Sequence, residues 1–259
     1  MNNQNQTQLD VESRPQRGIY LLPNLLTTAA LFSGFYAIVA AMKGNFESSA
    51  IAIFVAMIAD GLDGRVARLT NTQSAFGAQY DSLSDMVAFG LAPALSMYSW
   101  SLFHLGKVGW LVSFLYTAAT ALRLARFNTQ VIDKRYFQGL PSPSAAGIVA
   151  SIIWLASTYD INGATLTLPV AVSSIFISGF MVSAIRYSSF KNIDFKGKVP
   201  FVTVVVAVFI ITAVAFEPAE LLFGIFSIYV LSGPIMTLIS IRKMRRKQRK
   251  LEARLHKTR

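Results

Sequence analysis

No cysteine occurs among the 259 residues, so disulfides and thiolate metal sites are excluded. Histidine is almost missing too. His104 falls at the end of a hydrophobic run expected to face outward and His256 lies in the last stretch of chain, so neither is a candidate site residue. Charge is scarce: 14% of residues are charged against about a quarter in soluble domains, while 53% are hydrophobic and the mean hydropathy is positive. A soluble globular class is therefore excluded and a membrane protein expected. Acidic residues number 13 against 24 Lys and Arg, a net charge of +11. The excess is concentrated in the tail from Arg242 to Arg259, next to a hydrophobic run, which argues against a nucleic-acid partner. Such a tail orients a membrane protein and attracts anionic lipid by about 1 kcal/mol per basic residue near the surface. Its clearly apolar side chains besides Ala are Met244, Leu251 and Leu255, too few to predict an amphipathic helix.

Residues 1–18 are polar and are expected to be a disordered cytoplasmic segment. The run 19–42 is longer than the roughly 7–15 residues of a signal-peptide core and is read as a retained span. Windows of about 20 residues predict an all-α polytopic chain with eight spans. They lie near 19–42, 48–69, 82–104, 107–126, 144–159, 166–186, 199–216 and 219–241. With the N-terminus cytoplasmic, every Lys and Arg except Lys43 and Lys107 falls inside, which fixes the orientation with both termini cytoplasmic. A membrane-embedded catalytic unit over 19–241 and a basic cytoplasmic tail over 242–259 follow. Six spans would also satisfy an even count. Trp100, Trp110 and Tyr98 near span ends read as interface anchors.

Against this background the stretch DGLDGRVARLTNTQSAFGAQYDSLSD is anomalous, because it carries Asp60, Asp63, Asp81 and Asp85 between apolar runs. A charge at membrane depth costs at least a few kcal/mol, so the cluster needs a counter-charge. The i,i+3 and i,i+4 spacings put each pair on one helical face, and the topology brings both pairs to the cytoplasmic side. Four oxygen donors suit hard divalent cations, Mg2+, Mn2+ or Ca2+, rather than zinc. Two such ions bridged by carboxylates form a recurring arrangement for displacement at phosphorus. Gly64 and Gly77 would let a phosphate or nucleotide approach the backbone, and Arg68 offers a planar donor to a diphosphate. Each also has a plainer reading: membrane-helix glycines serve packing, and Arg65 and Arg68 serve as inside-facing charges.

The pattern Asp60-xx-Asp63-Gly64-xx-Ala67-Arg68, continued by Gly77-xxx-Asp81-xxx-Asp85, resembles the signature of the CDP-alcohol phosphatidyltransferases at every position. That resemblance implies displacement of CMP from a CDP-linked substrate by an alcohol. It implies Asp60, Asp63 and Asp81 as metal ligands, with Asp85 near the second of two divalent cations and acting as general base. Gly64, Ala67, Arg68, Ser74 and Gly77 would border the CDP moiety, as would Asn24 and Thr27 in a first-helix element that also includes Pro23. The segments RGIYLLPNLLTTAALFSGFYAIV, ALRLARFN, FQGLPSPSAAG and MVSAIRYSSFK are similar to the membrane-embedded phosphatidylserine synthases of bacteria and archaea within that family. They imply CDP-diacylglycerol and L-serine as substrates, a location in the cell membrane (the inner one where there are two), membrane lipids as surroundings and a homodimer. Arg123, Arg126, Asn128 and Arg186 are then candidates to bind serine, with positive-inside decoration as the alternative for the arginines.

The residues themselves leave other readings open. Glycerol 3-phosphate or inositol could be the acceptor, since the Asp motif does not discriminate. Membrane prenyltransferases also hold diphosphates with Asp-rich motifs, but need no base at Asp85 and fit the Gly-xx-Ala-Arg portion badly. A divalent-cation transporter would place acids at several depths rather than at one face.

Overall fold

The computed structural model of the chain describes residues 21–129, 136–188, 208, 212 and 216–257. Their regular structure is helical apart from one short two-stranded ribbon. Helix α1 (Leu21–Met42) reaches α2 (Phe46–Leu69) through a tight turn. Gly44 takes φ +76° there, a left-handed conformation that only glycine enters without steric cost, and Asn45 caps α2 by accepting from the Ser48 N–H at 3.2 Å. The buried faces of both helices are small: Ala30, Gly34, Ala37 and Ala41 on α1, and Ser49, Ala52, Ala56 and Ala59 on α2. Small residues let helix backbones approach closely where hydrocarbon supplies no hydrophobic drive between helices.

Helix α3 (Ala75–Asp85) runs without a break through a π-helical turn (Met86–Leu91) into α4 (Ala92–Trp100). Pro93 accounts for the change of pitch. It has no N–H, so the carbonyl of Phe89 four residues earlier loses its helical donor. The Tyr116 hydroxyl on α5 (Lys107–Thr129) donates to that carbonyl at 3.2 Å. Gly34 of α1 crosses at this turn, where a Cβ would sit 2.6 Å from the Ala88 Cα.

Beyond α5 come β1 (Tyr136–Gln138), α6 (Ser142–Thr158), α7 (Thr167–Val182), β2 (Arg186–Ser188) and α8 (Pro218–Lys257). Short 3-10 turns at Leu102–Leu105 and Gly163–Leu166 precede α5 and α7. The strands pair antiparallel, Phe137 opposite Tyr187, and tie the entry of α6 to the exit of α7. Gly139 closes this junction at φ +79°, where a Cβ would collide with the Met181 carbonyl. Helix α6 lies in the core, with Ala145, Ala146, Val149, Ala150 and Ile153 buried between α2 and α8. Inside α8, Pro234 strips the donor from the Val230 carbonyl, and the Tyr187 hydroxyl of β2 supplies it at 3.1 Å. Gly233 makes room, since a Cβ there would run into the Tyr187 ring.

Among the described residues four helices are long and apolar enough to cross a membrane: Leu21–Met42, Lys107–Thr129, Gly163–Val182 and Pro218–Ile239. Several predicted spans look different in the structure. The helix expected over 48–69 forms, but its acidic and basic residues keep it below the apolar standard of a span. The span expected from 82 starts instead at Ala75 and is divided by the π turn. That over 144–159 becomes the short apolar helix Ser142–Thr158, and that over 199–216 lies almost wholly outside the described residues, as does 1–18. The basic stretch from Arg242, where no helix was predicted, continues α8 to Lys257. Arg, Lys, Gln, Leu and Ala are strong helix formers, and extending an existing helix avoids the cost of nucleating one.

Candidate active site

The four aspartates converge from α2 and α3. One carboxylate oxygen from each of Asp60, Asp63 and Asp81 lies within 4.8 Å of the other two. Asp60 is also within hydrogen-bonding reach of Asp85, so all four acids form one contiguous group. Helix α1 is the strut that fixes them. The Thr27 hydroxyl donates to Asp63 Oδ2 at 2.6 Å, with the Pro23 carbonyl as a second acceptor at 3.1 Å. Ser84 on α3 donates to the Thr27 carbonyl at 3.1 Å, and Thr28 meets the Tyr80 hydroxyl at 2.9 Å. Thr27, Asp63 and Ser84 are all buried.

These residues fit a divalent cation. Three carboxylates this close repel one another, and Asp81 Oδ1 is buried with no hydrogen-bond partner. A buried, unpaired carboxylate oxygen is costly unless a cation satisfies it, and an all-oxygen set is the donor type of Mg2+, Mn2+ and Ca2+. The compact triad is Asp60, Asp63 and Asp81; Asp85 stands beside it, between Asp60, Asp81 and the Arg123 guanidinium.

The remaining motif residues border this group. Gly64 and Arg68, one turn apart on α2, are exposed, and a Cβ at Gly64 would meet nothing within 4 Å. Ala67 is half-buried. Ser74 caps α3 by accepting from the Gly77 N–H at 3.0 Å. A Cβ at Gly77 would lie 3.1 Å from Ser74 Oγ and 3.7 Å from Asn24 Oδ1, so these three residues form one tight corner beside α1. Thr27, expected at the nucleotide, has its hydroxyl on Asp63 instead.

Of the basic candidates whose side chains are described, Arg123 on α5 is the one brought near Asp85. Its Nη1 donates to Ser142 Oγ at 2.8 Å, while its Nε is buried with no hydrogen-bond partner. The phenols of Tyr116 and Tyr229 lie within its electrostatic range. Arg126 instead donates to the Val182 carbonyl at 3.1 Å, which closes the last turn of α7. The Asn128 amide donates to Ser82 at 2.9 Å and so joins the end of α5 to α3. The Arg186 backbone pairs with Gln138 in the ribbon, and its side chain is outside the described residues. Sequence reasoning missed Tyr116, Tyr187 and Tyr229; Ser142 falls in the FQGLPSPSAAG segment that carries part of the family resemblance. Half of a signal existed for two of them: Pro93 and Pro234 inside apolar runs announce unsatisfied carbonyls at Phe89 and Val230. Nothing in the sequence names the hydroxyl that answers each.

Comparison with known proteins agrees with this constellation. The chain is similar to a CDP-diacylglycerol–serine O-phosphatidyltransferase of Helicobacter pylori strain J99, 36% identical over 230 residues, which covers 88% of this chain and 96% of that protein. A protein of the same name from Bacillus subtilis is 32% identical over 171 residues, covering 66% of this chain and 92% of the relative. One from Mycobacterium bovis is 41% identical over 152 residues, covering 55% of this chain and 52% of the relative. The family model described as CDP-alcohol phosphatidyltransferase matches residues 20–175, a segment that holds all four aspartates, Gly64, Arg68, Gly77 and Arg123. By that match and by these relatives the chain belongs to the CDP-alcohol phosphatidyltransferase family.

Proposed function

We propose that the chain transfers the phosphatidyl group of CDP-diacylglycerol to the hydroxyl of L-serine, giving phosphatidylserine and CMP. The observation that carries this reading is that Asp85 lies within hydrogen-bonding reach of Asp60 and within electrostatic range of both Asp81 and the Arg123 guanidinium. A base and a partner for the acceptor's carboxylate then stand side by side. The names of the relatives support serine as the acceptor.

Asp60, Asp63 and Asp81 would hold one divalent cation, and Asp85 with Asp60 and Asp81 a second, Mg2+ or Mn2+. When bound, these ions neutralise the diphosphate of the CDP-lipid and polarise its phosphoryl oxygens. The chain's own residues do the rest. Gly64 leaves the α2 surface open for the diphosphate, and exposed Arg68 one turn away reaches it with a planar pair of donors. The Asn24, Ser74 and Gly77 corner supports the cytidine side. Asp85 accepts the proton of the serine hydroxyl as its oxygen attacks the diacylglycerol-linked phosphorus. The bond from that phosphorus to the bridging oxygen breaks, and CMP leaves with the electron pair. Thr27 acts one step removed, by holding Asp63 in place.

The same reading places the site at the cytoplasmic side of the cell membrane, with both termini cytoplasmic, the less apolar α2 and the α3–α4 rod crossing within the bundle, and the working unit a homodimer. CMP release by the purified chain with CDP-diacylglycerol and Mn2+ tests it. Serine should support release and glycerol 3-phosphate or inositol should not. Asp85→Asn should remove the serine-dependent rate while the protein stays folded. Release with a different acceptor would overturn the substrate assignment.

A further inference from the structure

The matched family segment ends at residue 175, yet one neighbour of Arg123, Tyr229, comes from α8, beyond it. Arg123 projects from α5 toward the N-terminus of α6 and bonds Ser142 there. On the far side stands Tyr229 of α8, within electrostatic range of the guanidinium and hydrogen-bonded to Ser144, two residues along from Ser142. The position of Tyr229 is heavily braced. Its ring lies 5.7 Å from the Tyr187 ring, and the Tyr187 hydroxyl is fixed on the Val230 carbonyl, the next residue of α8. Gly147 of α6 completes the contact, since a Cβ there would collide with the ring of Phe226. Three helices and a strand thus converge to hold one phenol beside one guanidinium.

The buried Nε–H of Arg123 has no hydrogen-bond partner among the described residues. Leaving a buried donor unpaired costs on the order of 1–3 kcal/mol, so an arrangement that keeps it is explained by a ligand that accepts it. The acceptor must be anionic or strongly polar, and its hydroxyl must reach Asp85 at the same time. An α-amino acid carrying a β-hydroxyl meets both demands, because carboxylate and hydroxyl lie on neighbouring carbons.

Building on the proposed reaction, we infer that Arg123 binds the carboxylate of the amino-acid acceptor and that Tyr229, paired with Ser144, is a positioning residue that aims the guanidinium. Selectivity for an amino acid over the amino alcohol that lacks its carboxylate is therefore set partly by α8, outside the matched segment. Arg123 carries the charge; Tyr229 and Ser144 hold its plane.

Steady-state CMP release by the full chain in detergent, with CDP-diacylglycerol and Mn2+, tests this with L-serine and ethanolamine as the two acceptors. Arg123→Gln should raise KM for serine by about a hundredfold, the effect of losing one charge-assisted hydrogen bond of about 3 kcal/mol, and should narrow the preference for serine over ethanolamine. Tyr229→Phe, which keeps the ring, should raise KM for serine by about tenfold and narrow the preference for serine over ethanolamine, with KM for CDP-diacylglycerol unmoved. Ser144→Ala should reproduce the Tyr229→Phe result, and it carries the test if the Tyr229 variant fails to fold. If either variant instead shifts KM for CDP-diacylglycerol, or slows serine and ethanolamine equally, the inference is overturned while the proposed reaction stands. No serine-dependent release by the unmodified chain would sink both.

Discussion

Among the described residues four carboxylates form one side of the candidate site and the Arg123 guanidinium the other, and the two sides are held by different means. On the acidic side each pair of aspartates shares one helix, so their relative placement follows from helical pitch alone. The tertiary structure contributes chiefly α1, whose Thr27 and Thr28 join α2 and α3. On the cationic side no two partners share a helical turn with Arg123. Ser142 and Ser144 come from α6, Tyr229 from α8, and Tyr187 from the ribbon that braces α8. Acidic-side substitutions should thus strike chemistry while sparing the fold. Substitutions on the cationic side should couple acceptor selectivity to stability.

The largest break in that comparison is expected at Asp81. Asp81→Asn removes one charge from the triad and should lower the rate on the order of 10^3-fold, as expected when several kcal/mol of charge stabilisation are lost. In thermal melts Mn2+ should raise the midpoint of the unmodified protein, chelator should reverse this, and the variant should show neither effect. An undiminished Mn2+ shift in Asp81→Asn would remove Asp81 from the ligand set.

A smaller effect is expected at Thr27. Thr27→Val keeps the shape of the side chain but leaves buried Asp63 without its 2.6 Å hydrogen bond. Loss of such an outer partner typically costs 10–100-fold in metal affinity or activity. The Mn2+ concentration giving half-maximal rate should therefore rise, and extra Mn2+ should restore the rate. Failure of rescue by metal would assign Thr27 to the nucleotide instead.

The smallest effects concern the two proline breaks, which sharpen the contrast in stability. Tyr116→Phe and Tyr187→Phe should each destabilise by about 1–3 kcal/mol, because each exposes a buried carbonyl that proline has already deprived of its helical donor. Pro93→Ala restores an N–H four residues after Phe89, so the Tyr116 loss should become milder in the Pro93→Ala background. Strict additivity of the two changes would refute the compensation. Only Tyr187→Phe should also raise KM for serine, since it loosens the helix that carries Tyr229.

The acidic side was legible in the sequence because its information is local. The i,i+3 and i,i+4 spacings, the apolar flanks and the absence of Cys point to an all-oxygen acidic cluster suited to hard cations. The cationic side was not legible in the same way. Arg123 and Arg126 lie one turn apart at the same predicted span end, and both satisfy the positive-inside rule equally well. The packing of α5 against α7 and the π turn leaves one near Asp85 and the other on the α7 carbonyl.

By itself the sequence determined a helical membrane chain, the place where its charges concentrate and the spacing of the carboxylates. These depend on composition and on helical periodicity, which act over a few residues. The tertiary structure alone decided which tyrosine answers each proline, that Arg123 comes near Asp85, and that a helix beyond residue 175 brings Tyr229 near Arg123. Those choices depend on which distant surfaces meet, and a hydroxyl twenty or more residues away finds its carbonyl only once close packing of small-residue helices has brought the two together.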